Sequence, residues 1–253
     1  MRNIRLVLAY DGTSYAGWQR QKQDVTIQGV VEQAIFTMTR SAAVLHGAGR
    51  TDAGVHALGM VANFLTDCSI PSQSFLKGLN GILPDDIRIL AASDAPVDFH
   101  ARRSARGKEY VYSFYAGEIM PPLERLYAAQ VWGRLDLEAM RSCLPLIAGT
   151  HDFSSFEAAG SRDRTVEGGM GAVRSIFRAE ILRDDQRQGF FRIIIAGNGF
   201  LRHMVRNIAG TLFEVGKGRY TPGDFAGILA ARDRTRAGPT APARGLLLRE
   251  VFY

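Results

Sequence analysis

GAGRTDAGVHA, residues 47–57, packs three glycines, an arginine and an acid into one short loop, and what flanks it decides what the loop joins. Upstream, Ile27, Val30, Val31, Ala34, Ile35 and Met38 recur at three- and four-residue spacing behind the capping residue Thr26, which predicts a helix. Downstream, LGMVANFL (58–65) predicts a strand. Neither familiar phosphate loop fits between them. Gly49 and Gly54 have the outer spacing of G-x-x-x-x-G-K-[ST], but Val55 and His56 stand where a lysine and a hydroxyl residue are required. In the dinucleotide pattern G-x-G-x-x-G, Asp52 takes the third glycine position and would set a carboxylate against a pyrophosphate. Asp52 is left with two uses, as an acceptor that shapes the turn or as a reactive carboxylate.

Further out, Ile4, Leu6, Leu8 and Tyr10 alternate with Arg5, Val7 and Ala9, a strand ended by the turn formers Asp11, Gly12 and Thr13. Ser72 to Leu79 suits a short helix. The segment DAPVDFHARRSARG (94–107) lacks a period and carries Arg102, Arg103 and Arg106, so it separates a first half, 1–105, from a second, 106–253. EYVYSFY (109–115), VRSIFRAEIL (173–182) and FFRIIIAG (190–197) then read as strands. LDLEAMRSCLPLI (135–147) reads as a helix capped at Asp136, with Leu137, Met140, Leu144 and Ile147 as its stripe. Val205, Ile208, Leu212 and Val215 predict a helix over 201–215 with Gly216 as its C′ stop, and Arg202 and Arg206 lie one turn apart beside that stripe. Thr221, Pro222 and Asp224 open a last helix, and LLLREVFY (246–253) closes the chain as a strand. The class is α+β, two similar mixed halves, and a cleft between halves is the usual seat of a substrate.

With 253 residues and a hydrophobic share of 46%, the chain has material for a substantial core. Its 31 Lys and Arg against 25 Asp and Glu give a net charge of +6, which suits a polyanionic partner and equally a merely solvated surface. Cys68 and Cys143 lie outside any C-x-x-C pattern and read as small core residues, not as a disulfide or zinc framework. The histidines at 46, 56, 100, 151 and 203 have no ligand spacing, so no metal is expected. No apolar run reaches membrane-span or signal-peptide length, and a cytoplasmic location is expected.

GRTDAGVHA at 49–57 strongly resembles the signature loop of the tRNA pseudouridine synthase A family. The resemblance continues in YDGTSYAGWQRQ (10–21), FHAR (99–102), GKEYVYSFY (107–115), HDFSSF (151–156), GNGFLRHMVRNIAGTL (197–212) and APARGLLL (241–248), in the family's order over nearly the whole chain. It implies a homodimer of two α+β halves with a central antiparallel sheet, acting without metal or nucleotide cofactor on uridines 38, 39 and 40 of the tRNA anticodon stem-loop. By motif position it implies Asp52 as the nucleophilic aspartate, Arg206 as its basic partner, Tyr110 as the ring that stacks on the target uracil, and Arg50 as the side chain that fills the gap left by the displaced base.

Each implied role has a physical reason and a plainer alternative. The reaction breaks the bond from C1′ to N1 of uracil and joins C1′ to C5, so nothing is oxidised and a carboxylate suffices, by attack at C1′ or by removing a C2′ proton. A carboxylate that excludes water needs a cation to stay ionised, and a guanidinium holds it two-pronged; otherwise Arg206 is one more solvated helix arginine. A uridine inside a stem must leave its stack, which costs a few kcal/mol, and Arg50 either recovers part of that or contacts a phosphate. Tyr110 shares a strand face with Tyr112 and Phe114, a row that is otherwise ordinary core. Arg102, Arg103, Arg106 and Lys108 are candidate contacts to the RNA backbone. Arg202 receives no role. The rival readings are a synthase with another RNA target and a tRNA-binding or chaperone protein, which would have no need for Asp52, Tyr110 and Arg206 together. A two-carboxylate glycosidase ranks last, since the loop holds no companion acid.

Overall fold

The computed structural model describes residues 1–160 and 171–253, and the chain divides into two units, Met1–Lys108 with Leu247–Tyr253, and Glu109–Leu246. In the first, the alternating segment forms β1 (Arg2–Tyr10), and Thr26 accepts from the Gly29 amide to start α1 (Ile27–Thr39). There follow β2 (His46–Gly47), β3 (His56–Thr66), α2 (Ser72–Ile82) and β4 (Ile87–Ala95). β1 pairs antiparallel with β3 on one side and β4 on the other. The opposite edge of β3 is shared: β2 pairs at Ala62 and Asn63, and the closing strand, Leu246–Phe252, adds parallel at His56 and Ala57. That strand, read from the sequence at the end of the second half, therefore completes the first unit's sheet. Ile4, Leu6 and Leu8 are fully buried, as are Ile27 and Ile35 of α1 and Phe75 and Leu79 of α2. Each such side chain contributes about 1.5–3 kcal/mol.

The second unit contains β5 (Gly107–Ala116) from Glu109 onward, β6 (Ala129–Val131), α3 (Leu137–Ile147), β7 (Gly149–Asp152), β8 (Val173–Arg183), β9 (Phe190–Gly197), α4 (Met204–Gly216) and α5 (Pro222–Ala231). Its strands run in the order β5-β9-β8-β7, with β6 parallel on β5. The β7–β8 and β8–β9 pairs are antiparallel, so the fold is α+β with mostly antiparallel sheets. Aromatic rings fill this core, Phe114 lying 5.3 Å from Phe191 and 5.0 Å from Phe213. The predicted caps form: Asp136 accepts from the Ala139 amide, and Thr221 and Asp224 make both halves of a capping box.

α4 differs from its sequence reading at both ends. It begins at Met204 rather than Leu201, because His203 takes a left-handed conformation (φ 62°) that no helical turn accommodates. Gly216 is the last helical residue, not the C′ stop; a Cβ there would lie 2.6 Å from Met140 Sδ, so the glycine serves contact with α3. The left-handed glycine is Gly218, at φ 72°. Cys143 is buried as expected, whereas Cys68 is only half-buried and its Sγ accepts from the Ile70 amide.

Candidate active site

Asp52 opens a tight turn. The Val55 amide donates to Asp52 O at 3.1 Å, and Gly54 sits third at φ 75°, the position where a type II turn requires glycine. Thr51 and Val55 are buried on either side, Asp52 is half-buried and Ala53 stands exposed at the tip. The turn thus places Asp52 beside its exposed tip while its two flanks are buried.

What holds them is the segment that follows β1, more than thirty residues earlier in the chain. The Tyr10 hydroxyl lies 2.9 Å from Thr51 Oγ1, and the Trp18 amide donates to Thr51 O at 3.0 Å. Gly17 (φ 91°) comes so close that a Cβ would lie 2.6 Å from Thr51 O and 3.0 Å from the Asp52 carbonyl carbon. At Gly12 the same atom would lie 2.0 Å from Val55 O. Both glycines therefore allow one backbone to rest directly on another. The Trp18 ring in turn occupies the space beside Gly47, where a Cβ would come within 2.5 Å of it.

His56 ends the loop. Its Nδ1 lies 3.1 Å from the Gly12 amide and 3.1 Å from Asp11 Oδ1. The first contact needs a lone pair on Nδ1 and the second a proton, so they are alternatives for one nitrogen. Asp11 Oδ1 also accepts from Thr13 N at 2.9 Å and Thr13 Oγ1 at 2.6 Å, which closes the turn in which Gly12 sits.

The predicted residues fall in two places. Asp52, the exposed Arg50 and the basic stretch Arg102, Arg103, Arg106 and Lys108 belong to the first unit. Of that stretch Lys108 reaches the loop: its Nζ lies 3.0 Å from where a Cβ on Gly49 would stand, so a side chain at 49 would displace it. The three arginines are exposed. Tyr110 and Arg206 belong to the second unit.

Tyr110 is nearly buried, its ring edge-on to Phe200 at 4.9 Å. Arg206 lies in the first turn of α4; its Nε donates to Ala241 O at 2.8 Å while the Ala241 amide donates to Arg206 O at 3.1 Å. The segment bearing Ala241 is itself pinned to α4. Asn207 Oδ1 accepts from Thr240 Oγ1 at 2.6 Å and from Arg234 Nη2 at 3.2 Å, and Gly210 leaves so little room that a Cβ would lie 1.7 Å from Pro239 O. Nearby, Tyr112 donates to Pro242 O at 2.8 Å, and burial holds its phenol well above the usual range despite the opposing charges of Arg206 and Arg244.

The residues that sequence reasoning missed are the supports: Tyr10, Gly12, Gly17 and Trp18. Their signal was present as two glycines and two aromatics inside nine residues, but nothing in that spacing names the loop they meet. Among the described residues, no three His, Cys, Asp or Glu side chains are placed to hold a metal ion, and no helix is long and apolar enough to cross a membrane.

A carboxylate on a rigid, glycine-packed turn with cations on the same unit suits chemistry on an anionic substrate. Comparison with known proteins agrees with that. A family model described as tRNA pseudouridine synthase matches residues 6–102 and 146–253. The chain is 50% identical over 253 residues to "tRNA pseudouridine synthase A 1" of Desulfotalea psychrophila, covering all of both chains. It is 45% identical to "tRNA pseudouridine synthase A" of Acetivibrio thermocellus and 44% identical to that of Geotalea uraniireducens, each again over 253 residues and the full length of both. Matched by the family model over 6–102 and 146–253 and by relatives over its whole length, the chain belongs to the tRNA pseudouridine synthase family.

Proposed function

We propose that this chain isomerises uridine to pseudouridine at positions 38, 39 and 40 of the tRNA anticodon stem-loop, with Asp52 as the essential carboxylate. The observation that carries the reading is the seat of Asp52, whose neighbouring backbone is gripped by Tyr10, Gly17 and Trp18 so that the turn bearing the carboxylate is built before substrate arrives. The glycosidic bond from C1′ to N1 breaks, the base turns, C1′ bonds to C5, the C5 proton is lost and N1 gains one. Asp52 acts either as the nucleophile at C1′ or as the base at C2′.

In this reading the first half, 1–105, carries the catalytic loop, and the second, 106–253, carries Tyr110 to stack on the uracil and Arg206 as the basic partner of Asp52. Arg50 fills the stack vacated by the base. Arg102, Arg103, Arg106 and Lys108 take the backbone without reading sequence. The enzyme works as a cytoplasmic homodimer without a cofactor. The test is pseudouridine mapping on unmodified tRNA in which positions 38, 39 and 40 are changed singly to cytidine. Product at the remaining uridines alone supports the assignment; product elsewhere in the tRNA overturns the positions.

A further inference from the structure

In the first unit the start of β2 and the segment after β4 meet over one buried side chain. Asn63 of β3 sits opposite His46 in the β2 pairing. Its Oδ1 accepts from the Ala101 amide at 2.8 Å, and its Nδ2 donates to Asn3 Oδ1 at 2.9 Å. Asn3 donates in turn to Pro96 O at 2.9 Å and Phe99 O at 2.8 Å. Both asparagines are buried, so the backbone of 96–101 is tied to the sheet by side-chain amides that would otherwise be costly orphans. A segment without helix or strand is thereby fixed.

The end of the fixed segment, His100 to Arg103, groups an imidazole with two guanidiniums. The amides of Arg102 and Arg103 both point at His100 Nδ1, at 3.1 and 3.4 Å, which makes Nδ1 an acceptor and leaves the ring proton on Nε2. Burial, with Arg103, His46 and Arg102 close by, holds the His100 pKa below its ordinary value. The His46 ring lies 5.0 Å from it, on an exposed residue. Arg102 and Arg103 are exposed, and neither is engaged by a carboxylate among the described residues.

We propose that His46, His100, Arg102 and Arg103 form a preorganised site for one backbone phosphate of the RNA, a proposal that rests on the tRNA reading above. Two guanidinium forks that no carboxylate pairs among the described residues, beside the His100 Nε2 donor and the His46 ring, suit a phosphate diester. β2 runs straight into the loop that carries Arg50 and Asp52, so a phosphate held at His46 sets the register of the strand presented to that loop.

The test is the affinity of the full-length protein for unmodified tRNA across a series of KCl concentrations. His100→Asn keeps an acceptor where Nδ1 was and removes the Nε2 donor; it should weaken binding about tenfold with the same salt slope, because a neutral donor displaces no counterion. Arg102→Gln should reduce the slope by about one. Affinity of His100→Asn within twofold of wild type, in a protein that melts normally, overturns the site. Tritium release from C5 is scored separately, so binding without isomerisation would remove the enzyme reading and leave this result standing. Should wild type bind no tRNA, inorganic phosphate titrated into ¹³C-histidine protein decides: shifts at His46 and His100 well beyond that of His151 support the site, and equal shifts overturn it.

Discussion

Tyr10 and Thr51 share a buried hydrogen bond, 2.9 Å between hydroxyl oxygens, that joins the end of the first strand to the residue before Asp52. Removing the phenol oxygen leaves Thr51 Oγ1 without that partner in a site water does not reach freely. Tyr10→Phe should therefore cost about 1–2 kcal/mol in denaturant unfolding. If Asp52 is the essential carboxylate, the variant should lower kcat more than it raises KM, since the bond is buried behind the loop that bears it. An unchanged kcat would show that the loop keeps its place without Tyr10.

Gly17→Ala is the sharper probe of the same support. The methyl would press on Thr51 O and the Asp52 carbonyl carbon, 2.6 and 3.0 Å away, from a residue already at φ 91°. Relief requires the Thr51–Asp52 backbone to move, and under the proposed role of Asp52 a displacement near 1 Å costs about a hundredfold in rate. The expected outcome is a fall in kcat of roughly tenfold to a hundredfold, read by single-turnover tritium release beside a thermal melt.

The parts of the fold that were legible in the sequence are those with local causes. Thr26, Asp136 and the Thr221–Asp224 box announce helices because a cap is a contact between residues three apart. β4 was not read because Ile87–Ala95 buries irregularly and its exposed Leu90 breaks the alternation, and β2, β6 and β7 are too short to have a period. Gly216 is ambiguous for a related reason: a glycine at a helix end looks alike in sequence whether it turns the backbone or makes room for Met140. The same divide runs through the site. Asp52 stands out within its own loop, whereas Gly12 and Gly17 matter only against backbone more than thirty residues away.

The two glycine types separate experimentally. Gly210→Ala would put a methyl 1.7 Å from Pro239 O, a backbone atom that cannot swing aside, and should destabilise the protein by roughly 2 kcal/mol or more. Gly218→Ala meets nothing within 4 Å and carries only the cost of φ 72°, about 1–2 kcal/mol. Because Gly210 packs the segment that holds Arg206, its substitution should also reduce activity at temperatures where the protein stays folded. Equal effects of the two on kcat would contradict that link.

Asp184 supplies a pH test. It accepts from Arg187 at 2.7 Å and Arg192 at 2.6 Å, and those guanidiniums hold its carboxyl well below the usual carboxylate range. A depressed folded-state pKa means stability that is complete above the unfolded value of about 3.9 and is lost as pH falls toward the folded value. Asp184→Asn should be less stable than wild type by roughly 1–3 kcal/mol at neutral pH. The gap should narrow only below about pH 4. A gap that closes between pH 5 and 7 would point to another group.

The most direct test is Asp52→Asn. The amide is nearly isosteric and leaves the turn from Asp52 O to the Val55 amide intact, but it neither attacks C1′ nor takes a proton. Tritium release from tRNA labelled at uracil C5 should occur with wild type and be abolished in the variant, while melting temperature and tRNA affinity stay close to wild type. Release by Asp52→Asn at a rate near that of wild type would contradict the assignment of Asp52 and, with it, the account of why its loop is so tightly held.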